Sequence, residues 1–219
     1  RMGMPALPQP RSDEDERCSP YLRLHRNAVL ESGQNAGNQR QGVAPLMNYA
    51  EIKKTDIANG EGVRVSLFVS GCRRGCKNCF NKVAWDFSYG KPFTEEVEEE
   101  LIAALSPDYI AGLTLLGGDP MEPENQRSLL PFVQKVRARL PRKNIWCYTG
   151  YTYKDGAIEE QSANCEVTRE LIALFDVLVD GRFVEELKDI RLKFRGSSNQ
   201  RVIDVKRSLS ENNVVLYLT

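Results

Sequence analysis

The sequence predicts an α/β fold: an open, partial (β/α) barrel with a mostly parallel sheet. Three observations predict it. Four short apolar runs read as strands, and an amphipathic helical pattern stands between each run and the next. Strands alternating with helices imply crossover connections and parallel pairing, and four such units are too few for a closed barrel of eight. Each run is also followed at once by an unusual cluster: Cys72–Cys79, Gly117–Pro120, Thr149–Tyr151 and Asp180-Gly181. In parallel α/β architectures those strand ends share one rim, where sites form.

The elements follow in order. Residues 1–46 are rich in Pro, Arg, Asn, Gln and Ser, and Asp13–Arg17 is a charge run. Such composition cannot bury enough apolar surface to fold, so a disordered or non-native extension is expected ahead of a domain spanning residues 47–219. Val63–Val69 alternates and then runs apolar, as in a buried strand. Thr94 is placed to cap a helix with Glu95 and Glu96 in its first turn and Val97, Leu101, Ile102 and Leu105 on its apolar face; its glutamates read as a solvated face. Leu113–Leu116 is the second strand. A helix from about Glu124 to Leu140 carries Leu129, Leu130, Val133 and Val136 at helical spacing, with Pro131 implying a kink or a later start. Asn144–Tyr148 is the third strand, Val167–Phe175 a helix, Asp176–Val179 the fourth strand, and Asn213–Leu218 a further candidate.

Composition narrows the function. The chain has 219 residues with 30 basic and 30 acidic side chains, so no polyanion-binding surface and no nucleic-acid partner are expected. No apolar run approaches the roughly 20 residues that span a bilayer. Residues 1–15 lack the apolar centre of a secretory signal. A soluble, cytoplasmic protein is expected. The single histidine, His25, lies in the unpatterned start, which removes a histidine base or ligand from the core.

Three of the six cysteines crowd into Cys72-Arg73-Arg74-Gly75-Cys76-Lys77-Asn78-Cys79, while Cys18, Cys147 and Cys165 are scattered. Clustering of this kind binds metal rather than staples a fold. One short loop can turn three thiolates to a single centre, and soft thiolates suit zinc or iron–sulfur clusters. Structural zinc needs a fourth protein ligand. A four-iron cluster held by three cysteines leaves one iron open to an outside ligand such as the amine and carboxylate of S-adenosylmethionine. Both readings stand on spacing alone. Arg73, Arg74 and Lys77 either favour the thiolates or are simply exposed.

The C-x₃-C-x₂-C loop after the first strand, together with Gly117-Gly118-Asp119-Pro120, resembles the radical S-adenosylmethionine superfamily. Further stretches resemble more closely the family that activates anaerobic ribonucleotide reductase: Asp56–Gly60, Leu67–Cys72, Cys79–Lys82, Ile145–Tyr151, Val179–Val184 and Arg195–Gln200. The resemblance covers about Met47 to Val202. It implies a [4Fe-4S] cluster on Cys72, Cys76 and Cys79, and S-adenosylmethionine contacts from Asn78, Cys79, Phe80, Gly117, Gly118 and Asp119. It also implies reductive cleavage of that cofactor to a 5′-deoxyadenosyl radical, which takes hydrogen from a glycine of the reductase large subunit. An external one-electron donor such as flavodoxin and an anaerobic cytoplasm are implied as well; no catalytic acid or base is. Two departures stand out. Many superfamily members carry an aromatic residue where this chain has Asn78, a shift the activating family shares, and Glu61 replaces a proline common in related activases. The rival readings are an activase of another glycyl-radical enzyme, such as pyruvate formate-lyase, and a zinc-stabilised interaction module.

Other residues have plainer readings. Cys147 alternates within a strand as a buried small residue, and Cys165 is incidental. Trp146 and Tyr148 are core or cofactor wall. Asp180 binds a polar group or starts a turn, and Arg195–Gln200 is a polar loop or a partner contact. Gly117 and Gly118 permit close backbone approach after a strand.

Overall fold

The computed structural model describes residues 47–218, so the expectation for residues 1–46, with Cys18 and His25, lies outside the described residues. In chain order the elements are β1 (Asn48–Asp56), β2 (Val63–Val69), β3 (Lys91–Pro92), α1 (Glu95–Leu105), β4 (Ile110–Gly117), α2 (Pro123–Arg139) and β5 (Asn144–Tyr148). Then come β6 (Tyr153–Lys154), β7 (Ala157–Ile158), α3 (Thr168–Ala173), β8 (Val177–Asp180), β9 (Arg201–Asp204), α4 (Val205–Glu211) and β10 (Leu216–Leu218).

Eight strands form one open sheet in the order β10-β9-β8-β5-β4-β2-β1-β3, while β6 and β7 pair separately. The four strands expected from the sequence are its centre, and β2–β4, β4–β5 and β5–β8 pair in parallel. The flanks correct the expectation of a mostly parallel sheet: β1–β2, β1–β3, β8–β9 and β9–β10 are antiparallel, and the sheet is mixed. For β1 the reason is connection chemistry. Residues 57–62 are too few to cross over the sheet, so β1 can only meet β2 antiparallel.

Side chains alternate across the sheet. Val65, Leu67 and Val69 of β2, Leu113 and Leu115 of β4, and Ile145 and Cys147 of β5 share one core with Leu101 and Leu105 of α1, Leu129, Val133 and Val136 of α2, Leu171 of α3 and Val205 of α4. Helices therefore cover that face. Trp146, Val177, Val179 and Val202 point the other way, packed with Tyr148, Phe194 and Leu218. Cys147 is the buried small residue expected of it.

Two local expectations change. Thr94 takes the extended N-cap conformation but makes no side-chain capping bond, leaving Glu95, Glu96 and Glu98 to complement the positive end of α1. Pro131 lies inside α2, which begins already at Pro123, so the later start does not occur. Pro131 is exposed, so water can serve the carbonyl deprived of its donor. Among the described residues no helix is long and apolar enough to cross a membrane.

Candidate functional site

β2 delivers the chain to the cysteine loop, and hydrogen bonds cross-link the loop's two limbs. Gly71 N donates to Ala84 O at 2.8 Å and Cys72 N to Trp85 O at 3.2 Å. Cys79 N donates to Cys76 O at 3.2 Å, closing a turn in which Asn78 has φ +58°. Asn tolerates this left-handed conformation better than an aromatic residue does, a local reason for Asn at the position where many superfamily members have a ring.

Arg73 anchors the loop to the start of α2. Its backbone N–H donates to Glu122 Oε1 at 2.6 Å and its Nη1 to Glu122 Oε2 at 2.6 Å, while Tyr151 Oη donates to Glu122 Oε1 at 2.9 Å. Its guanidinium also pairs with Glu124 at 2.6 Å and lies 4.2 Å from the centre of the Phe87 ring. Hydrogen bonds donated to Glu124 and then to Glu122 raise the Arg73 pKa. Arg73 thus spends its charge on two glutamates rather than on thiolates. Lys77 is exposed and reaches Glu186 at 3.4 Å. Arg74 lies 4.6 Å from the centre of the Tyr151 ring and 3.4 Å from Glu160.

The turn after β4 docks against the entrance of the cysteine loop. Gly118 N donates to Val69 O at 2.7 Å and Asp119 N to Gly71 O at 2.8 Å. Gly117 has φ +114°, and a Cβ on Gly118 would lie 2.5 Å from Gly71 O. Protein backbone therefore already demands both glycines. Asp119 is 1 % exposed, and its carboxylate accepts from Met121 N at 2.9 Å, Thr149 Oγ1 at 2.8 Å and Gly150 N at 2.8 Å. Burial pushes its pKa up to about 7 against these donors. The side chain welds the turn after β4 to the turn after β5. Asp180, at the end of β8, is likewise buried and accepts from Tyr153 N at 2.7 Å and from Arg201.

All four strand ends meet at one cavity of about 570 Å³, within the usual range of small-molecule sites. Cys72, Cys76, Asn78, Cys79, Phe80, Gly117, Gly118 and Asp119 all line it. Every site residue expected from the sequence is thus brought to one place. Among the described residues no three Cys, His, Asp or Glu side chains meet closely enough to hold a single metal ion. Cys72, Cys76, Cys79, Cys147 and Cys165 are free thiols. Burial pushes the Cys72 thiol up to about 12, with Asp119 and Glu122 adding to it.

The cavity suits a polar cofactor beside a cluster. Three soft donors border it, and two residues that line it hold buried polar atoms without a partner: Arg74 Nε and Tyr148 Oη. Buried polar groups ordinarily find a partner. Of the aromatic pair in β5, Trp146 is core and Tyr148 is wall.

Sequence reasoning missed several residues here. Ala58 and Asn59 line the cavity through a loop pinned by Arg64, which is fully buried. Arg64 donates to Thr114 Oγ1 at 2.6 Å, Asn144 Oδ1 at 2.6 Å, Leu113 O at 2.7 Å and Glu61 O at 3.1 Å; Thr114 Oγ1 donates to Asn59 O at 2.8 Å. A single charged residue, second in an otherwise uncharged strand, was the available signal. Phe183, Leu192 and Phe194 reach the cavity from the segment after β8, whose aromatic residues at irregular spacing gave no periodic signal.

Residues 58–203 match the family model described as a 4Fe-4S single cluster domain. The chain is 44% identical over 156 residues to the anaerobic ribonucleoside-triphosphate reductase-activating protein of Pasteurella multocida (strain Pm70), covering 70% of this chain and 95% of that protein. The protein of the same name from Escherichia coli (strain K12) is 44% identical over 158 residues, covering 71% and 97%. That from Enterobacteria phage T4 is 41% identical over 156 residues, covering 71% and 93%. The match runs from the loop that borders the cavity floor, through the cysteine loop, to β9, and on this measure the chain belongs to the family of anaerobic ribonucleoside-triphosphate reductase-activating proteins.

Proposed function

We propose that residues 47–219 form a radical S-adenosylmethionine enzyme that activates anaerobic ribonucleotide reductase. The observation that carries this is the meeting of three thiols of one loop with the turns after β4, β5 and β8 at a single cavity, in a chain of this family. Bound through Cys72, Cys76 and Cys79, a [4Fe-4S] cluster would supply the electron for reductive cleavage of S-adenosylmethionine, the chemistry that would give methionine and a 5′-deoxyadenosyl radical able to take a hydrogen atom from a reductase glycine and so become 5′-deoxyadenosine.

The chain's own residues have distinct tasks in this reading. Cys72, Cys76 and Cys79 would hold the cluster with three thiolates, one fewer than a fully protein-ligated four-iron cluster takes, which would leave room for S-adenosylmethionine. Asn78, Cys79 and Phe80, with Gly117, Gly118 and Asp119, border that cofactor. Arg74 Nε and Tyr148 Oη offer polar atoms toward it. Glu122 and Asp119 keep the cysteine loop and its neighbouring turns in register, and no side chain is asked to move a proton. In this reading the open sheet belongs to a partial barrel, the form the resemblance implies. The electron comes from an external one-electron donor such as flavodoxin, and the setting is an anaerobic cytoplasm.

The test is anaerobic reconstitution followed by incubation with the reductase, S-adenosylmethionine and a reductant. A glycyl-radical signal on the reductase is expected, and its loss in Cys76→Ser. Tightly bound zinc with no cleavage of S-adenosylmethionine, or labelling of pyruvate formate-lyase alone, would overturn the proposal.

A further inference from the structure

Among the described residues Arg64 is a fully buried cation whose hydrogen-bond acceptors are all uncharged: the Thr114 hydroxyl, the Asn144 side-chain amide, and the carbonyls of Glu61, Leu113 and Asn144. The Trp146 ring, its centre 5.3 Å from the guanidinium, stands where a counter-ion would be looked for. Burial lowers the Arg64 pKa to about 10, which leaves it charged at neutral pH. A buried charge without an ion-pair partner is costly, so packing alone would favour a neutral side chain. What a guanidinium offers instead is five donors and no acceptor.

That one-way chemistry sets the Thr114 hydroxyl. Thr114 of β4 pairs in register with Trp146 of β5, so its side chain stands on the sheet face away from the helices. The hydroxyl has a single proton to give. Arg64 Nε only donates to it, at 2.6 Å, so the proton turns to Asn59 O, 2.8 Å away. Asn59 and its neighbour Ala58 border the cavity, whereas Thr114 does not. The Asp56 carboxylate grips the same two residues, accepting from Ala58 N at 2.9 Å and from Asn59 Nδ2 at 2.6 Å. Gly60, with φ +128°, brings the loop onto the Arg64 side chain, since a Cβ there would lie 2.8 Å from Arg64 Cδ.

We propose that Thr114 is a positioning residue for S-adenosylmethionine: its hydroxyl, aimed by Arg64, holds Ala58 and Asn59 where the bound cofactor meets them. The proposal rests on the function given above. Thr114 acts only through Asn59, so losing its hydroxyl loosens one wall of the cavity and leaves the three thiols untouched.

The variants are Thr114→Val, which keeps the shape and drops the hydroxyl, and Thr114→Ser, which keeps the hydroxyl. Both are made in the full, anaerobically reconstituted protein. The valine variant is expected to retain wild-type iron and a wild-type reduced-cluster spectrum without cofactor. It is expected to need about tenfold more S-adenosylmethionine for half of the spectral change, and serine to restore the wild-type midpoint. Equal midpoints in valine and wild type, or a serine variant as weak as valine, would overturn the assignment. A measurement on the wild type keeps the test open should valine fail to fold: S-adenosylmethionine is expected to slow amide hydrogen exchange in residues 57–62. Slowing elsewhere but not there would overturn it too. Wild-type protein that the cofactor alters nowhere would strike the function itself.

Discussion

Gly118 sits between two carbonyls: a Cβ there would lie 2.5 Å from Gly71 O and 2.9 Å from Ala84 O. Both belong to backbone that frames the cysteine loop, so neither can swing aside. At Gly150 the nearest atom to a Cβ is Arg74 Cγ at 3.0 Å, part of a flexible side chain. Gly118→Ala is therefore expected to cost about 1–3 kcal/mol of stability and to lower iron retained after reconstitution, whereas Gly150→Ala costs less than half of that. Denaturant unfolding and iron content check both, and equal losses would contradict the difference in packing. At this scale the sequence marks positions but not partners. Gly117-Gly118-Asp119 stands out because glycines follow a strand, yet what Asp119 grips, Thr149 and Gly150, is some thirty residues away and enters only once β4 and β5 pair. Arg64 was hidden for the same reason, since its acceptors come from β4, β5 and the loop before β2.

Asp176, just before β8, gathers three elements. Its carboxylate accepts from Ile145 N of β5 at 2.7 Å and from Arg137 of α2 at 2.6 Å, and lies 3.1 Å from Lys206 Nζ of α4. Burial alone would raise its pKa, but Arg137, the Ile145 N–H and Lys206 outweigh burial and hold it below the ordinary carboxylate value. A depressed folded pKa gives stability that is present above the unfolded value and lost as pH falls through the folded one. Asp176→Asn is thus expected to destabilise by about 1–3 kcal/mol at neutral pH, the gap to wild type closing below about pH 4. Unfolding midpoints at neutral pH and near pH 3 measure it, and a gap independent of pH would contradict the assignment. Elements were legible in proportion to their apolar content. β2 and β5 fall where the hydrophobic pattern puts them. β1 escaped because Glu51, Lys53 and Lys54 give it a charged, half-exposed face, and β9 because four residues are too few for a period. α4 carried readable caps, Asp204 accepting from Arg207 N at 3.0 Å and Asn212 in the left-handed conformation, but its seven residues hold too short an apolar stripe to declare a helix.

Across the whole molecule, helices seal one face of the sheet and leave the other to a second small core and the cavity. The rim was foreseeable, because parallel strands joined through helices bring their C-terminal ends to one side, and the four central strands do pair in parallel. The antiparallel flanks were not, since β1 depends on a loop too short to cross over and is too polar to announce itself, and β9 is too short to show a period. What this architecture supplies is an arrangement of three sulfur donors on a cross-braced loop beside a cavity sized for a small molecule. The most direct measurement is an electron paramagnetic resonance spectrum of the anaerobically reconstituted, reduced protein, recorded before and after S-adenosylmethionine is added. The account predicts a reduced four-iron signal whose shape changes on addition, because one iron has no protein ligand. A signal that the cofactor leaves untouched would contradict it.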